Sequence, residues 1–174
     1  MAYLEIVRMG HPVLGRIAEP VTDLAAPELQ RLIDDMVETM EEAGGVGLAA
    51  PQVAESLRLV VFFVPAERND GVEIPLTVLV NPEIEVLDET LESGIEGCLS
   101  LPGMVGRVPR VRKILYRGVD RHGMPVERTA EGYHARVVLH ETDHLDGILY
   151  PRRMPDLDTF GYVDEIRRAF LDGG

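Results

Sequence analysis

His140 and His144 stand four residues apart in the run VVLHETDHLDG, with Glu141 directly after the first. Each helical residue turns about 100°, so these two positions lie within about 40° of each other on one face. Two imidazoles placed that way can grip one metal ion, and Glu141 sits where it could act as general base on an activated water. Three of the chain's five histidines fall within eleven residues of an apolar helical context. The competing interpretation is an amphipathic helix whose solvated face carries two histidines. A catalytic site of the zinc type takes three protein ligands and leaves a fourth position for water, so the pair asks for one more donor.

Several residues are candidates for that donor. His134 lies six and ten residues before the pair, points away from at least His140 on one helix, and is expected at the surface or half-buried. His11 and His122 fall in a turn-like N-terminal segment and at a hairpin tip. Asp164 and Glu165 belong to a short polar helix that reads as a solvated face. Cys98, in Glu96-Gly97-Cys98-Leu99-Ser100, is the single cysteine and a soft donor in an extended, glycine-flanked segment, although free cysteines more often serve as small buried hydrophobes. A further segment, GVGLAAPQ at 45–52, has the glycine density that lets a backbone approach a ligand closely. It lacks the Lys-Ser/Thr pair of a phosphate loop and follows a helix, not a strand. Gln52 at its end is a neutral donor able to polarise a carbonyl, while the plainer alternative is a helix C-cap entering a packed strand.

The elements that must hold these groups can be read from periodicity. Residues 27–43 carry Leu29, Leu32, Ile33, Met36, Val37 and Met40 in helical spacing, ended by Gly44-Gly45. The apolar run 57–64 predicts a buried strand. Residues 76–80 predict a second, closed by Asn81-Pro82, and 84–87 a third. Residues 111–119 and 124–128 form a hairpin around Asp120-Arg121-His122-Gly123. The helix bearing the two histidines should run from near Glu131 to Gly147, and a last short helix from 157 to 171. The fold class is therefore α+β: a compact single domain, 1–174, of mainly antiparallel strands around a central metal-binding helix.

Bulk properties limit the function. The chain has 174 residues and a net charge of −13, which argues against general binding to nucleic acid or anionic membranes. The start MAYLEIVRMG has no basic stretch ahead of an apolar core, and no run reaches the length of a membrane span. One cysteine cannot close an internal disulfide, so a reducing compartment, a bacterial cytosol, is expected.

GVGLAAPQ, EGCLS and HETDHLDG, in that order, resemble the three signature motifs of the peptide deformylases, and the similarity extends through HPVL, VNPEI and RVPRVRK. The resemblance implies hydrolytic removal of formate from the N-formylmethionine of nascent peptides. It also implies one divalent metal on Cys98, His140 and His144, Fe²⁺ in many members, with Zn²⁺, Ni²⁺ or Co²⁺ as substitutes. Metal-bound water would attack the formyl carbon with Glu141 as general base. The Gln52 amide and the Leu99 backbone N–H would stabilise the oxyanion. The backbone of Gly45, Val46 and Gly47 would pair with the substrate peptide, and Val46 and Val137 would line a methionine pocket. Leu139 stands where the family usually has Gln, which removes a polar partner near the metal. Glu96 and Arg110 match positions that pair and brace the Cys98 loop. The short terminal helix of mixed charge argues against the basic ribosome-docking helix of some members, so any ribosome contact would be transient. Two other readings stay open: an internal peptidase, which needs a His or Glu third ligand, and a binding module without turnover, which usually lacks the glutamate.

Overall fold

A computed structural model describes residues 3–171. Helix α1 (Pro27–Glu42) leads through the Gly44 turn into β1 (Gly47–Ala49), followed by β2 (Leu59–Val64), β3 (Ile74–Cys98), β4 (Leu101–Val119) and β5 (Pro125–Glu131). Helix α2 (Gly132–Leu145) comes next, then the two-residue β6 (Gly161–Tyr162) and α3 (Val163–Leu171). The strands form one antiparallel sheet in the order β1-β2-β3-β4-β5, with β6 pairing with β4 off that path.

Strand β2 explains how the sheet holds both helices. All but one of its residues are buried, because its two faces are covered from opposite sides. Val60, Phe62 and Val64 pack with Ala135, Val138 and Leu145 of α2. Leu59 and Val61 pack with Leu29, Ile33, Met36 and Met40 of α1. A strand covered on both faces reads as a continuous apolar run, not an alternating one. Helix α1 ends where expected, at Gly44, whose positive φ of 68° admits the reversal that a side chain would resist.

Three expectations change. Asn81-Pro82 does not close a strand; residues 76–80 and 84–87 both lie within β3, joined across a register shift between Val80 and Glu83. Asn81 adopts φ 50° there. Its side chain accepts from Val21 N–H and donates to Val21 O, both at 2.9 Å, tying down the N-terminal segment. A proline without an N–H is tolerated at such a bulge. His134 is buried, not surface or half-buried: six residues before His140 it faces the sheet, 3.2 Å from the Tyr116 hydroxyl. Burial, with Arg128 adding to it, lowers its pKa to about 4 and keeps the ring neutral. The final helix starts at Val163, not 157, since Asp156 turns the chain by accepting from Asp158 N–H at 3.0 Å. Residues 172–174 of the mixed-charge end lie outside the described residues.

Candidate metal centre

The site forms where α2 crosses the end of the β3–β4 hairpin. Cys98 closes β3 and pairs with Leu101, leaving Leu99 and Ser100 as the turn. That turn sets the Cys98 thiol against the helix face carrying His140 and His144, with one donor atom of each residue within 4.8 Å of the others. Cys98 Sγ lies 3.4 Å from His144 Nε2. A tetrahedral ion with S at about 2.3 Å and N at about 2.0 Å would separate those donors by about 3.5 Å. His140 Nδ1 meets Glu96 Oε2 at 2.8 Å. This contact places the proton on Nδ1 and leaves Nε2 as a lone-pair donor. Burial opposes charge on His140, but Cys98 and Glu96 outweigh it and raise its pKa well above the ordinary value. Burial and the neighbouring His140 lower that of His144. A thiol and two imidazoles with their donor atoms this close could bind a metal.

Behind the donors lies a buried ionic network. Arg110 grips Glu96 with two hydrogen bonds, of 2.8 and 2.9 Å, and reaches Asp143 at 2.6 Å. Arg136 adds a third donor to Glu96 at 2.8 Å and caps Val108 O and Glu92 O at 2.7 Å each. With His140, Glu96 receives four hydrogen bonds, about the capacity of a carboxylate. Burial alone would raise its pKa, yet the arginine and histidine partners hold it at about 2. Asp143 also receives Arg153, at 2.7 and 3.1 Å. The network fastens β3 and β4 to α2 and so fixes the angle at which Cys98 meets the histidines.

In front of the donors a cavity of about 370 Å³ opens, lined by Gly44, Gly45, Val46, Gly47, Gln52, Leu99, Val137 and Glu141 among others. Glu141 is buried and its Oε2 has no partner among the described residues. Burial, with Glu96 adding to it, raises its pKa to about 7 against the pull of His140 and Arg110. A carboxylate poised near neutrality with one oxygen free is equipped to take a proton and return it. Gln52 is fixed by its Oε1, which accepts from Ala49 N–H at 2.9 Å. Its Nε2 is thereby aimed at Cys98 Sγ, at 3.4 Å, and at Ser100 Oγ, at 3.3 Å.

Gly47 is required for a steric reason. A Cβ there would come within 2.6 Å of Glu141 Cδ, and closer still to Oε1. Gly47→Ala should therefore displace the carboxylate without touching the donors. A displacement near 1 Å can cost about 10²-fold in rate. Turnover at saturating substrate should fall by about that factor while metal content holds; an unchanged kcat would show that Glu141 is not position-critical.

The structure brings Gly45, Val46, Gly47, Gln52, Cys98, Leu99, Val137, His140 and Glu141 to one cavity, with His144 at its metal end. His11 and His122 are exposed and are not among the converging donors. Leu139 is half-buried and packs on the α2-side core. Sequence reasoning paired Glu96 with Arg110 but missed the Glu96–His140 contact, Arg136, Asp143, Arg153 and Ser100. One signal was available: Arg136 is a charged residue one turn before His140, on the same helix face.

Comparison with known proteins gives concordant matches. The model of the polypeptide deformylase family matches residues 3–160. Peptide deformylase 1 of Bordetella pertussis is 55% identical over 163 residues, covering 91% of this chain and 92% of its own. Peptide deformylase 2 of Pseudomonas putida is 52% identical, covering 92% of each. The Met-Ala-Ser-bound structure of the class I type b peptide deformylase from Acinetobacter baumannii superposes with a TM-score of 0.82 at 38% identity, covering 88% of this chain and 99% of that one.

Proposed function

The chain belongs to the polypeptide deformylase family, and from that premise we propose how its own residues remove formate from the N-formylmethionine of nascent peptides. The observation that carries the proposal is the convergence of Cys98, His140 and His144 beside a cavity holding one buried, partnerless carboxylate oxygen. Cys98, His140 and His144 would hold a divalent ion, which when bound would supply Lewis acidity toward a water and the formyl oxygen. Glu141 Oε2 takes the water's proton as the carbon–oxygen bond forms. It then delivers that proton to the amine as the carbon–nitrogen bond breaks, so formate leaves from a free methionyl amine. Gln52 Nε2 and the Leu99 N–H donate to the oxyanion that develops between these steps.

Substrate binding follows from the sheet. Strand β1 is its edge, and the adjoining Gly45, Val46 and Gly47 face the cavity, where an extended peptide can add as a further strand. Val46 and Val137 offer apolar walls to the methionine side chain. The Acinetobacter relative binds Met-Ala-Ser, the peptide that remains when formyl-Met-Ala-Ser loses its formyl group. We place the protein in the bacterial cytoplasm, and no helix among the described residues is long and apolar enough to cross a membrane. Ribosome contact would be transient, because α3 pairs Arg168 with its own Asp164 and Glu165 and has little free positive charge to offer.

We assign Fe²⁺ as the metal in the cell, with Zn²⁺, Ni²⁺ or Co²⁺ able to replace it. A thiolate with two imidazoles accommodates all four. Cys98 is only half-buried, so its sulfur is open to oxidation beside iron. The test is formate release from formyl-Met-Ala-Ser by protein loaded without oxygen with Fe²⁺ or Ni²⁺. Rapid release is expected, lost on exposure to air for the Fe²⁺ form and retained for the Ni²⁺ form. Cys98→Ala should lose metal to a chelator more readily by more than the roughly 10–100-fold that follows loss of an outer partner. A Cys98→Ala protein with wild-type metal retention would refute the ligand assignment, and a metal-replete wild type that releases no formate would refute the activity.

A further inference from the structure

Among the described residues, Arg68 is the one charged group lining the cavity without a counter-ion or a task in the proposed chemistry. Of the others, Glu96 and Arg136 satisfy each other at 2.8 Å, His140 is tied to Glu96, and Glu141 is the proposed base. The chain carries 30 acidic residues against 17 Lys and Arg, yet no carboxylate among the described residues lies within ion-pair distance of Arg68. The aromatic residue Tyr133 holds it instead. Arg68 Nη1 donates to the Tyr133 hydroxyl at 2.9 Å, and the guanidinium sits 5.6 Å from the ring centroid. This arrangement orients the cation without neutralising it.

Its place in the cavity indicates what it would meet. Tyr133, Val137 and His140 follow the i, i+4, i+7 stripe of one face of α2. At 1.5 Å per residue, Tyr133 lies about 10 Å along the helix from His140. A peptide laid along the β1 edge advances about 3.3 Å per residue and sends alternate side chains to the same side. With the formyl group at the donors and the methionine side chain against Val137, the third residue comes to the rim at Tyr133 and faces the same way. We propose that Arg68, braced by Tyr133, is a specificity-determining residue that favours formylated peptides with a carboxylate side chain at their third position. The inference rests on the reading of the site as a deformylase.

The test compares formyl-Met-Ala-Glu with formyl-Met-Ala-Gln, both amidated at the C-terminus so that only the side chain differs in charge. An exposed ion pair contributes little, so wild type should favour the glutamate peptide about threefold in kcat/KM, through KM. The preference should shrink in high salt. Arg68→Gln should bring the ratio to about one, Arg68→Glu should invert it, and Tyr133→Phe should weaken it. Equal turnover of both peptides by wild type, or a ratio that survives Arg68→Gln, overturns the inference and leaves the deformylase reading intact. Formate from neither peptide overturns that reading and this inference with it.

Discussion

Exchanging Glu141 for glutamine is expected to lower kcat for formate release by about 10²–10⁴-fold, the usual contribution of a positioned acid–base group, while metal content stays at wild-type level. The two effects separate because of where Glu141 sits. Cys98, His140 and His144 offer the converging donors, and Glu141 instead lies against Gly47 with one oxygen free. Glutamine has the same shape and length, so the helix and the cavity wall survive. What disappears is the ability to accept and return a proton. Burial has already raised the carboxyl pKa to about 7, a sign that the fold disfavours the charge it needs for turnover. Removing that charge should leave the melting temperature equal or higher, since burying an ionised group is costly. Single-turnover rates, bound metal and thermal unfolding, measured on the same preparations, decide the matter. A Glu141→Gln protein with full metal and near-normal kcat would remove Glu141 from the chemistry.

The parts of this site that were legible in the sequence are those governed by local spacing. His140 and His144 share a helix face because four residues make just over one turn, and the apolar periodicity around them marks the helix on its own. Helix α1 and the β4–β5 hairpin were legible for the same reason. The third donor was not local: Cys98 reaches His144, 46 residues further along the chain, only because α2 packs back on the β3–β4 hairpin, and spacing alone left it among several candidates. Its place followed from the ordered motifs of a known family, not from periodicity. Asn81 and Pro82 look like a terminator, and only the pairing of β3 with its neighbours turns them into a bulge. His134 illustrates the limit most directly. Counting around a helix says that it points away from His140, but not whether solvent or a sheet lies there.

Buried charge was the least legible feature, and the largest expected loss of stability comes from it. Glu96→Ala should destabilise the metal-free protein by about 3–5 kcal/mol, the range for breaking a buried ion pair from one side. Arg110 and Arg136 are both buried. Arg110 would keep Asp143 and Arg136 its two carbonyls, yet the charge that four donors converge on would be gone. His140 Nδ1 would lose its acceptor at the same time, freeing the ring to turn or change tautomer. Metal affinity should fall by a further 10–100-fold or so. Urea unfolding of the metal-free form reads the first effect and metal titration of the folded form the second. Adding Arg136→Met to Glu96→Ala separates them, because it removes a stranded buried cation without restoring an acceptor for His140. The double variant should regain part of the lost stability and none of the lost affinity. Affinity that recovers together with stability would mean that Glu96 acts on the metal only by keeping the fold together, and a Glu96→Ala protein within about 1 kcal/mol of wild type would mean that the network is too well hydrated to behave as buried.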